Sequence, residues 1–110
     1  MLIKKNNKII AREAIILKSF LSQVVGLRFK KQKNLVFDFK KEKKEIIDMI
    51  FVFYPIDLVF LDKSKKVIEI KKNIKPFTFY KTKNEVKFLL ELNRGSIEKS
   101  NIKLGDKLSF

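Results

Sequence analysis

The stretch FVFYPIDLVFLD, Phe51 to Asp62, decides the fold that this sequence predicts. It is rich in aromatic and β-branched residues, which favour strands. The apolar pattern starts before it, so we expect one long strand over Ile46–Leu61. Pro55 should mark an edge, a bend or a bulge in this strand, because proline has no N–H to donate to a sheet. Asp57 lies among apolar neighbours whichever face of the strand is buried.

Further short strands are separated by turn signals on both sides of this stretch. They are expected at Lys8–Leu17, Asn34–Phe39, Val67–Lys72, Val86–Leu92 and Lys107–Phe110. Ser19–Val25 is predicted as a short helix, Lys40–Glu45 as a solvated loop, and Ile97–Asn101 as a helical turn capped by Ser96. The predicted fold class is therefore mainly β, a compact antiparallel β-sandwich or barrel with one or two short helices, in a single domain over residues 1–110.

The amino-acid composition limits the kinds of catalysis and metal binding that are open to this protein. The chain has no cysteine and no histidine, so cysteine and histidine nucleophiles and the usual zinc ligands are absent. We therefore predict no metal site, no cofactor and no catalytic residue. Its apolar segments are too short or too interrupted for a signal peptide or a membrane span, which predicts a cytoplasmic protein without a membrane partner.

The net charge is strongly positive. Lys and Arg number 26 against 12 Asp and Glu, for a formal charge of +14. Such an excess is typical of proteins that bind nucleic acid or another polyanion. Only three of the cations are arginines, however, and a proteome-wide lysine bias of the kind found in thermophiles would give the same count. Both interpretations remain open.

Several motifs in order resemble a known family. They are GLRF (Gly26–Phe29), FYPIDLVFLD (Phe53–Asp62), VIEI (Val67–Ile70), KPF (Lys75–Phe77), LLELNRGSI (Leu89–Ile97) and IKLGDKLSF (Ile102–Phe110). Together they resemble the prokaryotic domain of unknown function 192 family, in the form of its short archaeal members. The resemblance implies a compact β-rich fold, and it implies no activity, substrate or cofactor, because the family is uncharacterised.

A first set of candidate site residues surrounds Asp57. A buried carboxyl group must be protonated, accept hydrogen bonds from backbone N–H groups at a bulge near Pro55, or pair with a cation. Arg28 and Arg94 are the natural cations, and Glu91 either faces solvent or joins Arg94. These four charged residues are the ligand-binding candidates of a non-enzymatic binding or interaction module. Asp57 and Glu91 would serve as a catalytic pair only if they lay on one cleft, which the sequence does not indicate.

A second set of candidates supports the alternative function, a nucleic-acid-associated basic protein that binds RNA or DNA. It comprises Lys71, Lys72, Lys75, Tyr80, Lys81 and Lys83. With Phe77 and Phe79 these residues could form a stacking surface flanked by lysines, as single-strand binders use. Phe77 and Phe79 share a strand face, however, and core packing is the interpretation that we favour for them.

Overall fold

The structure is a computed structural model that describes residues 1–17, 34–49 and 54–110. Its strands are β1 (Ile3–Lys5), β2 (Lys8–Ala11), β3 (Ala14–Leu17), β4 (Asn34–Lys43), β5 (Ile46–Asp48), β6 (Ile56–Leu61), β7 (Val67–Ile74), β8 (Phe79–Lys81), β9 (Val86–Asn93) and β10 (Leu108–Ser109), with one short helix α1 (Ser96–Lys99). The helix predicted at Ser19–Val25 lies outside the described residues, and so does Arg28.

The strands form one central sheet and two smaller ones. The central sheet has the order β3-β4-β9-β6-β7, and its pairs are antiparallel except for β3 and β4, which are parallel. A second sheet has the order β10-β1-β2, and β5 pairs with β8 in a third.

Each face of the central sheet is covered by its own hydrophobic core. On one face, Val59 and Leu90 pack with Ile3 of β1, Leu108 of β10 and Ile97 of α1. On the other face, the core includes the side chains Leu58, Phe60, Leu89, Ile47 and Met49. Strands β6 and β9 are buried on both sides, which explains their nearly continuous apolar sequences. The mainly β, sandwich-like fold is confirmed, and no sheet among the described residues closes into a barrel.

The single long strand predicted over Ile46–Leu61 is wrong. Its two ends belong to different sheets: β5 pairs with β8, while β6 pairs with β7 and β9. Tyr54 lies in a bend, and β6 begins directly after Pro55, which cannot donate to the ladder. The predicted strand Lys8–Leu17 is likewise two strands, β2 and β3, which separate at a bend at Arg12 and Glu13 and enter different sheets.

Two predicted boundaries also need correction. Lys40–Glu45 is not wholly a loop, because β4 continues to Lys43 past a bulge at which Lys40 has a left-handed φ of 72°. Asp38 stabilises that bulge by accepting the Lys40 N–H at 2.9 Å. Ser96 does not cap the helix but is its first residue; Gly95 precedes it with a φ of 91°, a conformation that glycine adopts without strain.

Candidate functional site

Asp57 projects from β6 into the core that also contains Ile97, with 1% of its surface exposed. One carboxylate oxygen accepts the N–H of Asn73 at 2.9 Å, and the other accepts those of Gly95 at 3.1 Å and Ile97 at 3.0 Å. The Asn73 donor belongs to a bulge in β7, where that strand places one extra residue opposite Asp57. Backbone N–H groups are therefore the partners of Asp57, as one of the alternatives predicted, but they belong to β7 and the start of α1 and not to a bulge near Pro55.

This arrangement makes Asp57 an internal brace. The carboxylate replaces the missing side-chain cap of α1, for which neither Gly95 nor Ser96 supplies an acceptor, and it ties the helix to β7. Arg94 is exposed, and the described residues show no ion pair between it and Asp57. The expected Asp57–Arg94 pair is therefore not what holds the carboxylate.

Glu91 lies on the opposite face of the central sheet. In the β6–β9 register Asp57 is opposite Leu92 and Leu58 is opposite Glu91, so Glu91 shares the core side of Leu58. It is only 6% exposed, so the prediction that it faces solvent is wrong. Burial and the Glu91 carboxylate raise the pKa of Tyr54, whose buried hydroxyl makes no hydrogen bond to any residue that the structure describes. Asp57 and Glu91 cannot act as a catalytic pair, because the sheet separates them.

The second set of candidates lies around the small β5–β8 sheet. In its register Ile46 is opposite Lys81, Ile47 is opposite Tyr80, and Asp48 is opposite Phe79. Ile47 and Tyr80 point inward to the core, and Tyr80 stacks on Phe60 with ring centroids 5.7 Å apart. Because side chains alternate along a strand, Ile46, Asp48, Phe79 and Lys81 are on the outer side.

Large apolar side chains are exposed on the outer side of this sheet and in the turn before β8. Ile46 is 65% exposed, Phe79 62% and Phe77 55%. The expectation that Phe77 and Phe79 pack in the core is therefore wrong: Phe79 is on the uncovered face of this two-stranded sheet, and Phe77 lies in the turn before β8 with a left-handed φ of 61°. Together with the exposed Lys75 and Lys81, these three side chains form a surface that we call the basic aromatic face.

Tyr80 is not part of the basic aromatic face. Its hydroxyl donates a hydrogen bond to Glu69 of β7, and burial together with this carboxylate raises the pKa of Tyr80 to about 12. Glu69 also accepts the backbone N–H groups of Lys83 and Asn84 and the Asn84 side-chain amide. Tyr80 and Glu69 therefore fasten β8 and the turn after it to the edge of the central sheet.

The remaining lysine candidates are exposed but not gathered on one side. Lys71 and Lys83 are solvent-exposed near this sheet, whereas the Nζ of Lys72 lies 3.4 Å from Glu98 of α1, on the far side of β7. Lys72 is thus the candidate that the structure separates from the others. Sequence reasoning missed Ile46, whose charged neighbours Lys44 and Glu45 made it resemble an ordinary strand start.

Among the described residues, no helix is long and apolar enough to cross a membrane. In the same part of the chain no three acidic side chains converge in a way that would hold a metal ion.

The fold and its surfaces define a small, basic, mainly β protein. The chain belongs to the uncharacterised family DUF192, whose model matches residues 1–110. It is 30% identical over 95 residues to a UPF0127 protein of Pyrococcus furiosus, covering 84% of this chain and 81% of that relative. A UPF0127 protein of Thermococcus sibiricus is 31% identical over 115 residues, with 100% and 74% coverage.

One solved structure is similar along most of the chain. It is a protein of Sinorhizobium meliloti described as a candidate transcription regulator, with a TM-score of 0.81 and 22% identity over 86% of this chain and 79% of that one. At this identity the likeness shows the fold alone.

Proposed function

We propose that this protein is a non-enzymatic binding module that holds single-stranded nucleic acid on the basic aromatic face. The observation that carries the proposal is the exposure of Phe79, Phe77 and Ile46 beside Lys75 and Lys81. Large apolar side chains in water are costly to solvate, and a cluster of them marks an interaction surface. Lys75 and Lys81 outnumber Asp48, the acidic residue opposite Phe79, and so favour an anionic partner over an apolar one.

Single strands suit this surface better than a duplex. Unpaired bases expose their flat faces, and stacking on an aromatic side chain stabilises binding by about 1–3 kcal/mol per base. The lysines next to Phe79 then lie where the phosphates of the same strand pass. Groove readers, by contrast, insert a helix or an arginine fork, whereas α1 is four residues long and the basic aromatic face contains no arginine.

The other function, a ligand groove around Arg28, Asp57 and Arg94, has less support. Asp57 already accepts three backbone N–H groups, so its oxygens are committed to holding α1 and β7. A ligand would have to compete with these buried hydrogen bonds and would leave N–H groups without acceptors.

The test is fluorescence anisotropy with labelled single-stranded and duplex RNA and DNA, at salt concentrations from about 50 to 200 mM, with a sulfated polysaccharide as competitor. Phe79→Ala should weaken single-strand binding about tenfold, as loss of one stacking contact predicts. Leu104→Ala is the matched control, because Leu104 is an equally exposed apolar residue, at 63%, outside this sheet.

Charge-reversal variants distinguish binding at the basic aromatic face from general electrostatic attraction to the whole protein. Lys81→Glu should reduce affinity more than Lys63→Glu, since Lys63 lies in the turn at the opposite end of β7 from Lys75. If both variants lost the same affinity, or if the polysaccharide competed as strongly as the single strand, the net charge of +14 would be explained by amino-acid composition alone. Either result would overturn the proposal.

A further inference from the structure

A second basic surface lies where β2 turns into β3. A cleft of about 350 Å³ opens there, and its lining includes the cations Lys8, Arg12 and Lys99 together with Asn34 and Ser100. Its volume is in the range of small-molecule sites. No carboxylate contributes to its lining.

The cations of this cleft are not neutralised by their neighbours. Within the described ranges, Lys8, Arg12 and Lys99 make no ion pair. Glu98, next to Lys99 in α1, is directed toward Lys72, with 3.4 Å between Oε1 and Nζ. Three cations of one sign around a concave surface focus a positive potential into it.

The polar groups of the cleft are mainly hydrogen-bond donors. Arg12 offers a planar fork that matches phosphate, and Lys8 and Lys99 add ammonium groups. The side-chain oxygen of Asn34 already accepts the Asn93 N–H at 3.2 Å, so the NH₂ group is the part of this amide left for a ligand. A donor-rich cleft of this kind selects an anion with several oxygens.

An adjoining cleft of about 720 Å³ shares Arg12, Asn34 and Asn93 with the first one. Its lining adds Met1, the carboxylate residue Glu13 and the apolar residues Ala14 and Ile15, of which Ile15 is 46% exposed. One molecule that spans both clefts would therefore place an anionic end among the cations and an apolar part over Ile15.

We infer that this surface, the Arg12 cleft, binds a small phosphate ester. The phosphate lies among Lys8, Arg12 and Lys99, and the organic part contacts Ile15. This site is separate from the basic aromatic face, and it requires neither aromatic stacking nor a polymer.

Isothermal titration calorimetry on the full chain tests the inference with phenyl phosphate, inorganic phosphate and phenol as probes, at about 150 mM salt to suppress loose ion pairing. Phenyl phosphate should bind more tightly than inorganic phosphate, and phenol should not bind. Arg12→Gln should weaken phenyl phosphate at least about tenfold, because it removes the bidentate contact.

Lys41→Gln is the matched control, since Lys41 is an exposed cation on β4 about 20 Å along the strand from Asn34. If Lys41→Gln weakened binding as much as Arg12→Gln, or if phenol bound as well as phenyl phosphate, the Arg12 cleft would be no phosphate site. Single-strand affinity should be unchanged in Arg12→Gln, so failure here and failure of the proposed function are distinguishable.

Discussion

Two buried carboxylates, one on each side of the central sheet, hold the smaller elements in place by different means. Asp57 lies toward α1 and accepts only backbone N–H groups. Glu69 lies toward the β5–β8 sheet and accepts backbone N–H groups of Lys83 and Asn84 as well as the hydroxyl of Tyr80. Each is nearly inaccessible, with 1% exposure for Asp57 and 6% for Glu69.

This difference shows which interactions fix the structure on each side of the central sheet. The Asp57 side depends on main-chain geometry, so many sequences in the turn would serve it as long as the N–H groups stay in place. The Glu69 side depends on a particular partner, the hydroxyl of Tyr80, which also titrates. We therefore expect the first side to fail through lost hydrogen bonds and the second to respond to pH.

The largest effect is expected at Asp57. Asp57→Ala leaves the N–H groups of Asn73, Gly95 and Ile97 without their acceptor, and we expect a loss of about 3–5 kcal/mol in the free energy of unfolding, measured by urea denaturation. Asp57→Asn keeps the volume and one oxygen and should cost about 2 kcal/mol, since the amide NH₂ then meets an N–H group.

Asp62 provides the matched control for this experiment. Its Oδ1 also accepts backbone N–H groups, from Ser64 at 2.9 Å and Lys66 at 3.0 Å, but in an exposed turn. Water can replace those hydrogen bonds, so Asp62→Ala should cost about 1 kcal/mol. A loss at Asp57 no larger than that at Asp62 would refute the view that Asp57 braces α1.

A smaller, pH-dependent effect is expected at Glu69. Burial raises the pKa of Glu69, but the hydrogen bonds from Tyr80, Asn84 and Lys83 outweigh it, and the net pKa lies below 4.5. A lowered pKa in the folded state means that the stabilisation is present above the ordinary pKa and is lost as pH falls through the folded value. Glu69→Gln should therefore cost about 2 kcal/mol at pH 7, with a smaller difference near pH 3.

The comparison uses urea denaturation of both proteins at the two pH values. Glu85→Gln, at an exposed position in the turn before β9, should show little difference at either pH. If the difference between wild type and Glu69→Gln were the same at low and neutral pH, the Glu69 carboxylate would not be the charged brace that its hydrogen bonds indicate.

Much of the fold could be predicted from local patterns. The run at Val86–Leu92 correctly predicted a strand buried on both faces, and the polar turn Asp62–Lys66 correctly predicted a hairpin. Ile3–Lys5 escaped prediction because a three-residue strand shows no period. The division of Ile46–Leu61 between two sheets depends on pairing partners that are distant in the chain, Tyr80 for one part and Leu90 for the other.

The candidate site was less predictable, for a physical reason. Alternation tells which residues share a strand face but not which face is covered, so Phe79 was placed on the wrong side; Phe77 shares no strand face with it, because it lies in the turn before β8 with a left-handed φ of 61°. The same limit applied to Glu91, which is buried rather than exposed. By contrast, a buried carboxylate such as Asp57 needs hydrogen-bond donors in any fold. This local rule correctly predicted backbone N–H groups as one possible set of partners.

The smallest expected difference between the Asp57 side and the Glu69 side is the ionisation of Tyr80. Burial, the hydrogen bond to Glu69 and the Glu69 charge raise the pKa of Tyr80 to about 12, so its contribution to stability is present below the ordinary value of 10.0 and is lost as pH rises toward 12. In a Tyr54→Phe background, where Tyr80 is the one tyrosine left, the phenolate absorbance reports this pKa alone.

Adding Glu69→Gln to that background should move the Tyr80 titration to lower pH, because burial alone then opposes the phenolate. Adding Glu85→Gln instead should leave it in place. An unchanged titration in the Glu69→Gln protein would mean that the hydroxyl is held by something other than this carboxylate, and the two sides of the sheet would then not differ in the way proposed. A shift would show that Glu69, unlike Asp57, is coupled to a titrating partner, so that alkaline pH loosens β8 and the basic aromatic face while α1 stays attached.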